Sequence, residues 1–116
     1  MQPSTHEFLE HTLDEARFLL DASEGVDWET FRQDGLLKRA FVRSLEVMGE
    51  AVKQIPDSIR QQYPSIEWRA IAGMRDRLIH AYYGVNYEMV WDAVVNKIPS
   101  LASEIEKILA RDDFGT

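Results

Sequence analysis

The chain has 116 residues, 45% hydrophobic and 28% charged, so a single globular domain spanning 1–116, with one core, is expected. Without a cysteine it can build neither a disulfide framework nor a thiolate metal site, which fits a reducing cytoplasm. The net charge of −7 argues against broad electrostatic binding to nucleic acid, so any such chemistry needs a local cationic site.

The elements read as helices from end to end. Ser4 or Thr5 can cap a first helix through about residue 22, with Phe8, Leu9, Leu13, Ala16, Phe18, Leu19 and Leu20 as its apolar stripe and Gly25 as its stop. Residues 27–31 read as a capped turn, after which Asp34 can cap a second long helix over 35–55. Leu37, Phe41, Leu45, Met48, Val52 and Ile55 recur there at helical spacing, and Pro56 ends the run. Residues 57–66 form a connector with room for one turn. A third long helix is predicted from about Ser65 to Tyr82 or Tyr83, closed by Gly84, and a last one from Asn86 to about Ala110, kinked or divided at Pro99. No run approaches the roughly 18 apolar residues of a membrane span, and the opening MQPSTHEFLEH lacks a signal-peptide pattern. The expected fold is all-α, an up-and-down bundle of four to five helices.

One stretch carries more chemistry than a helix end needs. Residues 75–84 read RDRLIHAYYG. Arg75 and Tyr82, seven apart, fall along the edge of the apolar face marked by Ile71, Met74, Leu78 and Ala81. Asp76 and His80 are four apart, so a carboxylate can orient or charge the imidazole. Arg77 stands three residues from His80. On an ideal helix, however, Arg75 and His80 point about 140° apart. They converge only if the last turn unwinds toward Gly84, or if a second copy of the chain completes the site. Simpler roles exist for the same residues: a histidine suited to the helix dipole, a tyrosine in the core, and an arginine paired across the bundle with Glu50.

Other chemistries find little footing. His6, His11 and His80 are scattered, and no His, Asp or Glu cluster has metal-ligand spacing. His6 and His11, five apart, do not share a helical face. Glu46 and Glu50 read as ion-pair partners for Arg43 and Lys53, with Glu50 the better placed to reach a cleft, and Lys38 and Arg39 as a solvated face.

The spacing Arg75, four residues, His80, one residue, Tyr82 resembles the motif of HEPN-domain proteins, and specifically of HepT-like toxins from toxin–antitoxin pairs. The likeness extends over RSLEVMGEAVKQIP (43–56) and over most of 64–109, including Trp68 and the VNYEMVW continuation. The resemblance implies a metal-independent endoribonuclease, without a cofactor, in which two protomers form a homodimer with a composite cleft. By the same likeness His80 and Arg75 match the catalytic pair, and Tyr82 the motif tyrosine. Asp76 stands where the family places a polar residue, commonly asparagine, so it sets a negative charge beside the phosphate site. The implied partner is a minimal nucleotidyltransferase antitoxin that transfers AMP to Tyr82, in what is called a type VII toxin–antitoxin system. Arg43, Arg69 and Arg77 are the cations available to contact RNA. The other reading is an inactive HEPN module that binds and assists a nucleotidyltransferase.

Overall fold

A computed structural model of the chain describes residues 3–81 and 84–111, and every regular element within them is helical. Helix α1 (Thr5–Ser23) starts where Ser4 closes a capping box. Its hydroxyl accepts from the Glu7 N–H at 3.2 Å, and its own N–H donates to the Glu7 carboxylate at 3.3 Å. Gly25 then turns the chain at φ +74°, a conformation that favours glycine. Asp27 caps the short α2 (Trp28–Gln33), so the expected turn is a true helix. It plugs the bundle with Phe31, fully buried against Phe41 and Trp91 at ring-centroid distances of 5.0 and 4.9 Å. Asp34 caps α3 (Gly35–Lys53), accepting from the Leu37 N–H at 2.9 Å.

The connector after Pro56 holds one turn, α4 (Asp57–Arg60). Arg60 donates to the carbonyls of Val52 and Ile55, both at 2.9 Å, so a cation closes the negative end of α3. The indole N–H of Trp68 donates to the carbonyls of Arg60 and Tyr63. That anchor sets the start of α5 (Trp68–Ile79) three residues later than the spacing predicts, because the Trp68 N–H closes a turn on the Ile66 carbonyl.

Helix α5 also stops earlier than expected, at Ile79. His80 leaves helical geometry at φ −99°, ψ 17°, and Ala81 N–H bonds only three residues back, to Leu78. The imidazole of His80 joins its own N–H on the Asp76 carbonyl, so the side chain helps to close the helix that Gly84 was expected to close. Gly84, at φ +132°, belongs instead to the loop before α6 (Tyr87–Asp92), which Asn86 caps. Tyr82 and Tyr83 lie outside the described residues.

The last helix is interrupted near Pro99, as expected, but one turn ahead of the proline rather than at it. A single π turn over Ala93–Lys97 joins α6 to α7 (Ile98–Arg111), and the Ile98 N–H bonds five residues back, to Ala93. A proline ring presses on the carbonyl four residues before it and offers no N–H, and one wider turn ahead of it absorbs both effects.

Among the described residues, four long helical rods and the short α2 and α4 therefore make the all-α bundle that was expected. Helix α3 is central, packed against α1 on one side and α5 on the other, while α7 covers α1. Leu9, Phe41, Met48, Val52, Val94 and Ile105 are fully buried at its heart. Among the described residues no helix is long and apolar enough to cross a membrane.

Candidate active site

Helices α3 and α5 meet at Gly49. A Cβ built there would lie 2.3 Å from the Cβ of Arg75 and 3.1 Å from the Ile71 carbonyl oxygen, so only glycine lets the two backbones come this close. The approach fixes where Arg75 leaves α5. Its side chain is only a quarter exposed, and it points along α3 toward the next residue, Glu50.

Arg75 sits in a short chain of charges. Its Nε lies 3.1 Å from Glu50 Oε2, a charge contact that is not aligned as a hydrogen bond, and its Nη1 donates to Asp76 Oδ1 at 3.1 Å. Lys53 Nζ donates to the same oxygen at 2.6 Å. The Lys53 ammonium first, and then the Arg75 guanidinium, hold the Asp76 carboxyl below its ordinary pKa. The anticipated Arg75–Glu50 pair across the bundle is present, whereas Lys53 pairs with Asp76 and Glu46 lies 3.9 Å from Arg43.

Asp76 does orient His80, but not through its carboxylate as the four-residue spacing suggested. His80 Nδ1 lies 2.8 Å from the Asp76 backbone carbonyl oxygen. A carbonyl can only accept, so Nδ1 carries the hydrogen and the lone pair of the neutral ring falls on Nε2, the nitrogen able to take a proton. The carboxylate was drawn away because two cations face it from α3 and from its own neighbour. Both motif residues thus bond to Asp76, Arg75 to its side chain and His80 to its backbone. The helix ends at Ile79, yet the His80 N–H still bonds four residues back to Asp76, so the turn between the two is not unwound. His80 does not join Arg75 among the residues that line its cleft.

Arg75 lines a cleft of about 320 Å³ between α1, α3 and α5. Of the three arginines expected to contact RNA, Arg43 lines this cleft. Arg69 lines a recess beside α4 with Asp57 and Arg60, and Arg77 a groove between α5 and the π turn, with Lys97. Lys38 lies 4.6 Å over the Tyr87 ring, and Arg39 donates to the Gly35 carbonyl. The expected role of Tyr82 falls on a residue outside the described ones.

The cleft also contains a residue that the sequence reading set aside. His11, from α1, lines it together with Phe8, three residues earlier. His11 shares no helical face with His6, and His6 meets Glu10 instead, at 3.5 Å. The useful spacing was Phe8 to His11, an i, i+3 pair at the rim of the apolar stripe. Among the described residues, no three His, Cys, Asp or Glu side chains gather as a metal-binding group.

Comparison with known proteins shows the family of the chain. A family model described as "Ribonuclease HepT-like" matches residues 12–108, which takes in α3, α5 and nearly all of α7. A candidate RNase of Caldanaerobacter subterraneus subsp. tengcongensis is 46% identical over 105 residues, covering 90% of this chain and 94% of that protein. A candidate RNase of Methanocaldococcus jannaschii is 41% identical over 102 residues, 88% of this chain and 84% of the relative. The "Probable ribonuclease HepT" of Thermococcus cleftensis is 37% identical over 108 residues, 93% of this chain and 98% of its own length. No solved structure matches the chain significantly. With the family model spanning most of its length, and relatives aligned over nearly all of theirs, the chain belongs to the HepT-like ribonuclease family.

Proposed function

We propose that the chain is a metal-independent endoribonuclease, the toxin of a type VII toxin–antitoxin pair. The observation that carries this reading is the pairing on Asp76 of a cleft-lining arginine with a histidine whose tautomer is fixed. In the reaction the ribose 2′-oxygen attacks the adjacent phosphorus and the bond to the 5′-oxygen breaks, giving a 2′,3′-cyclic phosphate and a free 5′-hydroxyl. The 2′-hydroxyl loses a proton and the departing oxygen gains one. His80, with its lone pair on Nε2, is suited to that transfer. Arg75 offers a planar guanidinium to the phosphate oxygens, where charge builds in the transition state.

Two protomers face each other in this reading, so that their Arg75 and His80 line one composite cleft. Silencing follows from AMP transfer by a partner nucleotidyltransferase: the Tyr82 oxygen attacks the α-phosphorus of ATP and pyrophosphate leaves. The added nucleotide sets bulk and negative charge beside a phosphate-binding cleft. An inactive module that only docks to the nucleotidyltransferase is the second reading. It is favoured by the two carboxylates, Glu50 and Asp76, that already neutralise Arg75.

Purified protein and an RNA substrate separate the two. The wild type should cleave without added metal and in the presence of chelator, and His80→Ala should keep its helical circular dichroism while losing about 100-fold or more in kcat. A His80→Ala protein that cleaves like the wild type removes the assignment. Intact mass after incubation with the partner and ATP tests the switch. No gain of one AMP, or a gain that survives Tyr82→Phe, counts against it.

A further inference from the structure

The wall of the Arg75 cleft opposite α5 is furnished in a way that the cleavage chemistry does not use. Helix α1 is acidic on its outer side, with Glu7, Glu10 and Asp14, yet the ionisable group it turns into the cleft is His11. Each arginine in the cleft has a carboxylate close by, Glu50 at 3.1 Å from Arg75 and Glu46 at 3.9 Å from Arg43. No side-chain hydrogen bond or ion pair joins the His11 imidazole to another described residue. Beside it stand Phe8 from α1, Val47 from α3 and Ile79 from α5, an apolar surface contributed by three helices. Ile79 is 43% exposed, so its side chain is open to a ligand in the cleft.

We propose that this wall is a subsite for the nucleotide next to the scissile bond of a single-stranded RNA, with His11 and Arg43 on its phosphate and Phe8 under its base. The inference rests on the ribonuclease reading for its orientation and deepens it by naming the side chains that would hold the neighbouring nucleotide. A base pressed on an aromatic face with cations along the backbone is how unpaired strands are commonly held, and a stacked duplex cannot offer that base. In a chain of net charge −7, an imidazole turned into the cleft is a fitting donor for the place. Its ring N–H is a donor that a phosphate oxygen can accept from, while Glu46 and Glu50 remain beside Arg43 and Arg75.

The test is binding of a fluorescent, 2′-O-methylated oligoribonucleotide, which cannot be cleaved, followed by anisotropy at pH 6 over a series of salt concentrations. Loss of one phosphate contact should lower the slope of log affinity against log salt by about 0.7 for a single strand, so His11→Gln is expected to bind about five-fold more weakly with that drop in slope. His11→Arg should restore both, and Arg32→Gln, a cation lost from α2 outside the cleft, should change neither. His11 is exposed, so the variants should melt like the wild type. Equal affinity and slope for wild type and His11→Gln overturn the subsite, as does a His11→Arg protein as weak as His11→Gln. Cleavage of the unmodified oligomer is scored separately. If the wild type binds with the expected His11 dependence but never cleaves, the ribonuclease reading falls and with it the place beside a scissile bond, while the contacts of His11 and Arg43 to unpaired RNA stand.

Discussion

At Asp76 a single residue serves both members of the motif, and the two halves of the residue behave differently with pH. The carbonyl that holds the His80 ring does not titrate. The carboxylate does, and Lys53 and Arg75 keep its folded pKa below the ordinary value. A carboxyl with a depressed folded pKa contributes stability that is fully present above its unfolded pKa and is lost as pH falls through the folded one. The melting-temperature difference between wild type and Asp76→Asn should therefore be present at neutral pH and shrink as the buffer is taken below about pH 4. A difference that grows on acidification contradicts the charge pairing. The same substitution bears on the proposed activity, because the carboxylate stands where a phosphate would compete for Arg75. Asp76→Asn should lower the KM for RNA and weaken the salt bridge network without abolishing cleavage. An unchanged or raised KM means that the carboxylate is not a competitor for the guanidinium.

The site depends on how tightly α3 and α5 are drawn together, and two glycines separate packing from mere helix propensity. Gly49 has no room for a methyl group, with Arg75 Cβ 2.3 Å from the position it would take, whereas a Cβ at Gly73 meets nothing within 4 Å. Gly73→Ala should stabilise the protein by about 0.5–1 kcal/mol through propensity alone. Gly49→Ala should destabilise it by about 1–3 kcal/mol as the helices are forced apart. Chemical denaturation of both variants checks the contrast, and similar changes at the two positions would show that the close approach is not tight. The caps that begin these helices were legible in the sequence, since Ser4, Asp27, Asp34 and Asn86 each stand directly before an apolar helical run. The ends of α5 were not, because Trp68 and His80 set them through bonds to backbone carbonyls that spacing does not reveal. The Arg75–Glu50 pair could be read from two helix faces expected to meet. His11 could not, because its place in the cleft depends on how α1 is rotated against α3, which the whole core decides.

At the scale of the molecule the question is whether one chain is enough. A chain ending α5 at Ile79 brings Arg75 and His80 onto one aspartate, yet Arg75 lines the cleft between α1, α3 and α5 while His80 lies past the helix end, exposed. The proposed dimer supplies two of each to a common cleft, and it makes a prediction that no single-chain mechanism shares. Arg75→Ala and His80→Ala homodimers should each be inactive. Co-expressed with different affinity tags and purified through both, the mixed dimer retains one arginine from one protomer and one histidine from the other. If catalysis draws on both protomers, the mixed dimer should regain measurable cleavage, on the order of a tenth or more of wild type, against losses of about 100-fold in the parents. If each centre is built within one chain, both centres of the mixed dimer are broken and activity stays at the parental floor. Size-exclusion with light scattering on the same preparation gives the second arm. A wild type that cleaves RNA as a monomer at assay concentration ends the composite cleft, whatever the mixed species does.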